Sequence, residues 1–583
     1  MSNKKLTSLY SLLACILISS MLIQYRASHF TPDSKGNYMA TSWDAFGYYL
    51  YLPGTFIYND LTQLEWLPEI DQKYAVTGGH LYQAHKYTNG NYVGKYLGGV
   101  ALMELPFFFI GHAIALNSDY PADGFSAPYQ YAIVWGAVCY AIFAFFFLRY
   151  LLLRYFSDST TAISLLLLAL ATNLFQYIAV AGAMSHAFIF PLYALVIYTT
   201  IKWHEKPALR WAFFTGLIIG LATICRPTEA IMLFIPLLWD TQTKEHRKLK
   251  WEKVRLHKSH ILLAALGGLI GILPQLIYWK FASGSFVYNV GSKWSFLNPF
   301  FRVLIGFENG WFVYTPITIF FVAGLFFIKK YPFKRAFTTF CLLNIWIIIS
   351  WFDWKYGATY STRALVQSYP VFAFPFAAVV ERIRASRWKY PFYALGLFLI
   401  GLNFFQLRQY DQTILHFRDM NWKYYSHIFL NSHPTPLDMS LLDTDEFLHK
   451  ESTFEKTELI STSLVTEAQH PDHLELARYE FPTSPDQPSG DSWLKVTAEI
   501  ECPEGFFGGQ LKCSVQLPDS SKTRGVRLAN PLSVQKRRNQ YAFYMKLPKG
   551  NPPGTVRVFL EAAPGFQANV YSLTLSHFHK KQK

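Results

Sequence analysis

Asp44 is the first residue in the chain whose type and setting suggest chemistry. It lies in Ser42-Trp43-Asp44-Ala45-Phe46-Gly47-Tyr48-Tyr49, shortly after an apolar run. A carboxylate there can take a proton from a hydroxyl as general base. Asp also caps helices and makes turns, so a structural role competes with the chemical one. Lys86 and Lys95 flank Tyr87, Asn89, Gly90 and Asn91. They could bind phosphate or anchor a helix among headgroups. Arg226-Pro227-Thr228 reads as a tight turn, and its guanidinium suits two-pronged phosphate contacts or snorkelling to an interface. Met184-Ser185-His186 offers a lone His, either a ligand-binding group or a satisfied structural one. Trp354-Lys355-Tyr356-Gly357 and Tyr360-Ser361-Thr362-Arg363 again join cations to aromatics. Glu104 sits within an apolar run, where a carboxylate is costly, and could assist Asp44 or pair with Lys95.

These residues need a frame. The chain has 583 residues, 51% of them hydrophobic, with 51 Phe, 37 Tyr and 16 Trp. A length of this order predicts more than one domain. The aromatic content suits a protein with membrane interfaces. Polar sequence concentrates in the last quarter, so a membrane part and a water-exposed part are expected. Formal net charge is +15. The cations gather in short loops between apolar runs, which fits the positive-inside rule and excludes nucleic acid as a partner.

Apolar runs at about 9–25, 130–150, 160–178, 184–202, 208–225, 227–240, 260–280, 311–328, 335–352, 366–381 and 390–407 predict about eleven spans. Lys4 and Lys5 precede the first, which reads as an uncleaved span rather than a signal peptide. The run 96–116 is apolar enough to cross, but Glu104-Leu105-Pro106 interrupts it. If it re-enters or lies along the surface, nearly every short basic loop falls inside. The N-terminus is then inside and the C-terminus outside. On that topology 27–96 is a long first outer loop, and Asp44, Lys86, Lys95, His186, Arg226, Lys355 and Arg363 all reach the outer face. Few ionisable residues lie at mid-depth, which argues against a proton-coupled transporter.

Residues 408–449 read as an interfacial linker. From about 450, short alternating runs predict a β-sandwich: Trp493–Glu501, Gln510–Leu517, Gly525–Leu528, Gln540–Leu547, Thr555–Glu561 and Asn569–Leu575, parted by turns such as PDSS and PKGNPPG. Cys502 and Cys513 fall on two of these strands, and a disulfide between them stays open. No CxxC pair supports a zinc or thioredoxin-like site.

Taken in order, these stretches resemble a GT-C-fold glycosyltransferase, close to the family 39 group of protein mannosyltransferases and aminoarabinose transferases. The likeness is carried by Asp44 with Gly47-Tyr48-Tyr49-Leu50-Tyr51-Leu52-Pro53, by Lys95-Tyr96 leading to Glu104-Leu105-Pro106-Phe107-Phe108, and by Met184-Ser185-His186-Ala187-Phe188. It continues through Gly220 to Arg226-Pro227-Thr228, through Tyr356-Gly357-Ala358 to Arg363, and through Gln406, Gln409, Tyr410, His416, Met420 and Tyr424. It covers roughly residues 1–425 and is similar in overall pattern to membrane glycosyltransferases of Bacteroidetes-type bacteria.

The resemblance implies a sugar donor on a polyprenyl phosphate, with a glycan, lipid or protein acceptor. Asp44 and Glu104 would be the catalytic carboxylates. Lys86, Lys95, His186, Arg226, Lys355, Arg363 and Tyr48 would bind substrate and phosphate. Ala45 follows Asp44 where the family has a second acidic residue, so a divalent metal is left open. The expected fold is a multi-pass helical domain over 1–407 in a bacterial cytoplasmic membrane, with an extracytoplasmic jelly-roll-like sandwich over 450–583. A lipid-glycan flippase and a membrane-anchored glycan-binding protein are the alternatives.

Overall fold

The computed structural model describes residues 8–29, 32, 36–469, 473–481, 492–503, 505–506, 508–516, 521–534, 536–548, 554–562 and 566–580. Lys4, Lys5 and most of the PDSS and PKGNPPG turns lie outside the described residues. The chain forms two units, Met1–Leu407 and Arg408–Lys583.

The first unit is helical. Among the described residues, six helices are long and apolar enough to cross a membrane: Leu9–His29, Gly99–Leu116, Ala127–Leu152, Lys258–Ser283, Arg363–Arg384 and Lys389–Asp411. Asp158–Leu170, Leu209–Cys225, Pro227–Leu238 and Pro316–Phe326 are shorter apolar helices. Ser185–Glu205 and Lys334–Ser350 fill two more expected runs. The run near 227–240 is a 3-10 turn, Pro227–Leu233, followed by Phe234–Leu238. The run near 311–328 is broken around Pro316, whose missing N–H cannot continue the preceding Trp311–Tyr314 turn.

Two contacts fix the helices that carry the site. Asp158 accepts the backbone N–H groups of Tyr10 (2.9 Å) and Ser11 (3.0 Å), satisfying the open donors at the start of Leu9–His29. Leu209–Cys225 crosses Lys258–Ser283 backbone to backbone. A Cβ added at Gly216 would stand 1.8 Å from the Ala264 carbonyl oxygen, and one at Gly220 2.3 Å from that of Gly268. Small residues four apart let helices approach this closely in lipid. The crossing sets the end of Leu209–Cys225, and with it Arg226.

The first loop is an ordered structure. It contains short helices at Asp44–Tyr49, Tyr51–Phe56 and Leu67–Tyr74, and a hairpin of β1 (Ala84–Lys86) with β2 (Tyr92–Gly94). Asn89 and Asn91 pin the hairpin by donating to the Ala282 carbonyl at 2.9 and 3.0 Å. The expected break at Glu104-Leu105-Pro106 is absent: Gly99–Leu116 runs straight through Pro106, since one lost backbone bond is tolerable inside a packed helix. This helix lies along the loop. Phe108 and Phe109 pack on Phe56, and Phe108 on Tyr49. Just beyond its end, Asp123 accepts from Lys73 (3.1 Å) and Tyr74 (2.7 Å), and Gly124 accepts from Tyr49 (2.5 Å). The first loop thus holds the C-terminal half of this helix and the turn beyond it.

The second unit carries two four-stranded antiparallel sheets. Their strands are β3 (Phe454–Gln469), β4 (Leu474–Glu480), β5 (Ser492–Glu501), β6 (Gln510–Gln516), β7 (Ser521–Arg527), β8 (Arg538–Lys546), β9 (Thr555–Glu561) and β10 (Gln567–Lys580). The orders are β3-β10-β5-β8 and β4-β9-β6-β7. Their inner faces bury Leu494, Val496, Val515, Phe543, Val558 and Leu573. Cys502 and Cys513 are separate thiols in that core, so the disulfide left open by the sequence is not formed. Strands β3 and β4 escaped the sequence reading because Thr, Ser and Glu dilute the alternation in FEKTELISTSLVTEAQ and LELARYE.

Candidate functional site: an Asp44–Arg363 centre

Asp44 opens the Asp44–Tyr49 helix, and its backbone is set by its neighbours. Trp43 has φ 59. Its N–H donates to Val76 O at 2.9 Å, and its carbonyl accepts from Gln83 Nε2 at 3.1 Å. A tryptophan at positive φ is strained, and such strain gathers where surrounding structure enforces a position. Tyr356 and Ser361, near Arg363, have φ 55 and 56.

The Asp44 carboxylate is surrounded by donors. Tyr82 and Tyr96 donate to Oδ1 at 2.9 and 2.6 Å, and Arg363 Nη2 donates to Oδ2 at 2.7 Å. The partners are 38, 52 and 319 residues away in sequence. Burial alone would raise the carboxyl pKa. The Arg363 charge and the bonds from Tyr96, Arg363 and Tyr82 outweigh it, bringing the value from 3.8 to about 2. Burial and the Asp44 charge push both phenols up.

Gly47 makes the Tyr96 bond possible. It lies one turn after Asp44, and a Cβ there would stand 2.1 Å from the Tyr96 ring. The ring crosses the bare backbone, meets Tyr48 edge-on at 4.8 Å and reaches Asp44. Lys95 Nζ lies 5.4 Å from the Tyr82 ring and 5.6 Å from the Tyr96 ring, over both of Asp44's phenolic donors.

Arg226 stands at the C-terminal end of Leu209–Cys225. Among the described residues its guanidinium makes no hydrogen bond or ion pair, and its charge acts on Tyr48, His186 and Tyr356. His186 is 2% exposed and bonded through Nδ1 to Gln367 Oε1 at 2.8 Å. The loop before Arg363 is anchored by Thr362, whose hydroxyl lies 2.7 Å from Val303 O and 2.9 Å from Asn309 O. The structure therefore gathers Asp44, Tyr48, Lys95, His186, Arg226 and Arg363 in one electrostatic neighbourhood.

Two expected residues, Glu104 and Lys86, are not brought into it. Glu104 is fully buried in Gly99–Leu116, and neither carboxyl oxygen meets a donor among the described residues. It pairs with neither Asp44 nor Lys95, because its helix turns it into the packed interior. Lys86 is exposed at the end of β1. Lys355 lies 5.7 Å from the Trp354 ring. Sequence reasoning missed Tyr82 and Gln367, and quoted Tyr96 only within a motif. The short aromatic segments around Tyr82 and Tyr96 were the available signal.

The donor set does not suit a metal at Asp44. Among the described residues no three His, Cys, Asp or Glu side chains converge. The guanidinium 2.7 Å from Oδ2 would repel a dication.

Residues 126–279 match the family model described as dolichyl-phosphate-mannose-protein mannosyltransferase. The match includes His186 and Arg226 but not Asp44 or Arg363. It supports the GT-C-type resemblance drawn from the motifs. The solved structure of arabinosyltransferase EmbB from Mycobacterium smegmatis is similar at 12% identity, with a TM-score of 0.30, over 97% of this chain and 64% of that chain. The chain thus spans less than two thirds of that structure, and a likeness this low carries no argument here. A search of curated proteins returns no match.

Proposed function

We propose that this protein is an inverting glycosyltransferase that moves a sugar from a polyprenyl-phosphate donor to an acceptor hydroxyl at the outer face of a bacterial cytoplasmic membrane. The observation that carries this reading is one centre holding a carboxylate and two guanidiniums, of which Arg226 makes no hydrogen bond or ion pair among the described residues. A phosphate leaving group needs cations, and a hydroxyl nucleophile needs a proton acceptor.

The acceptor oxygen attacks the anomeric carbon from the face opposite the lipid phosphate. The new C–O bond forms as the bond to phosphate oxygen breaks, and the phosphate leaves with the electron pair. The acceptor proton passes to Asp44. Arg226, Arg363 and Lys95 stabilise the charge that grows on the phosphate, and losing one such group should cost about 2.7–4 kcal/mol in the barrier.

In the free protein Asp44 is a weak base, because Arg363 and two phenols hold its charge. The donor phosphate competes for Arg363, and a released Asp44 regains basicity. Donor binding thus prepares the base.

The matched family model makes polyprenyl-phosphate mannose the first donor to test. Purified full-length protein in detergent, given radiolabelled donor, should release labelled product with inverted anomeric configuration. A flippase would bind donor and transfer nothing under these conditions, since no compartment exists, and that result would replace this reading.

A further inference from the structure

Behind the Asp44 centre lies a buried polar chain that fixes which nitrogen of His186 carries a proton. Glu229 is 2% exposed and accepts from the Tyr193 hydroxyl, from Gln367 Nε2 at 3.0 Å and from Thr228 at 3.3 Å. Gln367 Nε2 also donates to Ala364 O at 2.8 Å, so both its hydrogens are used on acceptors. Turning the amide over would set its oxygen against the Glu229 carboxylate and the Ala364 carbonyl. Gln367 Oε1 must therefore face His186, and His186 Nδ1, 2.8 Å away, must be the donor. A neutral imidazole with its proton on Nδ1 has its lone pair on Nε2. Among the described residues no hydrogen bond reaches Nε2, although the ring is 2% exposed and feels the charges of Arg226, Arg363 and Asp44.

We infer that His186 Nε2 is a hydrogen-bond acceptor for a substrate hydroxyl at this centre, with Gln367 and Glu229 as positioning residues that lock its tautomer. The inference rests on the glycosyltransferase reading and narrows the substrate- or phosphate-binding role expected of His186 to a substrate hydroxyl. A bare ring nitrogen repels a phosphate oxygen and attracts a hydroxyl. The hydroxyl belongs either to the transferring sugar or to the nucleophile. The same lock leaves Arg226 as the group beside His186 that is free to meet phosphate.

Two measurements test it, one independent of turnover. Full-length protein carrying nitrogen-15 histidine is examined in lipid by solid-state NMR, and His186 is assigned by its loss in His186→Asn. The wild-type ring should show a protonated Nδ1 and a bare Nε2. In Gln367→Leu the proton should move to Nε2, the tautomer free imidazole favours. Adding undecaprenyl-phosphate hexose should shift the Nε2 resonance. A protonated Nε2 in the wild type, or no response to donor, overturns the proposal even if the protein proves to transfer nothing.

The second measurement is kinetic. Asn keeps a donor where Nδ1 stood and lacks Nε2, so His186→Asn should fold and lose roughly tenfold in kcat/KM. If the partner is a sugar hydroxyl, one monodeoxy undecaprenyl-phosphate donor will be used equally well by wild type and variant. If it is the nucleophile's hydroxyl, every deoxy donor will keep the full ratio and the variant's kcat–pH limb will move. Kinetics within twofold of wild type for every donor would also overturn it.

Discussion

The Asp44–Arg363 pair is a residue-scale device with a pH signature. Asp44's folded pKa, about 2, lies below its ordinary 3.8. Its ion pair therefore contributes stability in full above about 4, and that contribution is lost as pH falls through 2. The kcat/KM profile reports the free protein and should show no acid limb from Asp44 above pH 4. The kcat profile reports the loaded complex and should show a limb at higher pH, once Arg363 has turned to phosphate. Coincident limbs would mean that the donor leaves the pair intact. Arg363→Lys keeps the charge but loses the planar set of donors that can turn from Asp44 to phosphate, and we expect about tenfold lower kcat/KM with the fold retained. The sequence singled out both members and led to the expectation that both face outward. Their contact was not visible, because 319 residues separate them. Tyr82 was hidden by numbers, since it is one of 37 tyrosines, and Tyr96 stood in a quoted motif without its bond to Asp44 being visible.

At the scale of elements, the Asp44–Tyr49 helix works because Gly47 leaves room for a ring. Gly47→Ala adds one methyl where the Tyr96 ring lies 2.1 Å away. We expect the ring to be displaced, at a cost of about 1–3 kcal/mol. Thermal melting should register that loss, and transfer should fall at least tenfold because Asp44 loses a donor. An unchanged rate would separate Tyr96 from the site. Apolar periodicity revealed most helices, since burial in lipid or core demands it. The continuity of Gly99–Leu116 was misread, because Pro106 signals a break in water but not in a packed apolar setting. Strands β3 and β4 were missed for the converse reason. Hydrogen bonds to β10 and β9 hold them, whereas their own apolar pattern is weak.

For the whole molecule, the account places the first loop outside and the basic helix Lys244–Leu256 inside. Tyr87 is 36% exposed on the hairpin loop, and Leu249 is 56% exposed on the basic helix. With Cys139 replaced by serine, Tyr87→Cys should react with an impermeant maleimide in intact cells, and Leu249→Cys only after permeabilisation. The reverse pattern would put the Asp44 centre on the donor-synthesising side. Among the described residues six helices are long and apolar enough to cross a membrane, and the placement of the basic loops inside is the expectation that this labelling tests.

The most direct test is single-turnover transfer from a radiolabelled polyprenyl-phosphate sugar by purified wild type and Asp44→Asn. Asn preserves size and can still accept from Tyr82 and Tyr96, but it cannot take a proton. Because Arg363 then loses its partner, melting and size-exclusion profiles of both proteins accompany the assay, with Asp44→Asn/Arg363→Gln restoring charge balance. The account predicts that both variants remain folded and transfer at least a hundredfold more slowly than wild type. Folded Asp44→Asn that transfers at near wild-type rate would contradict it.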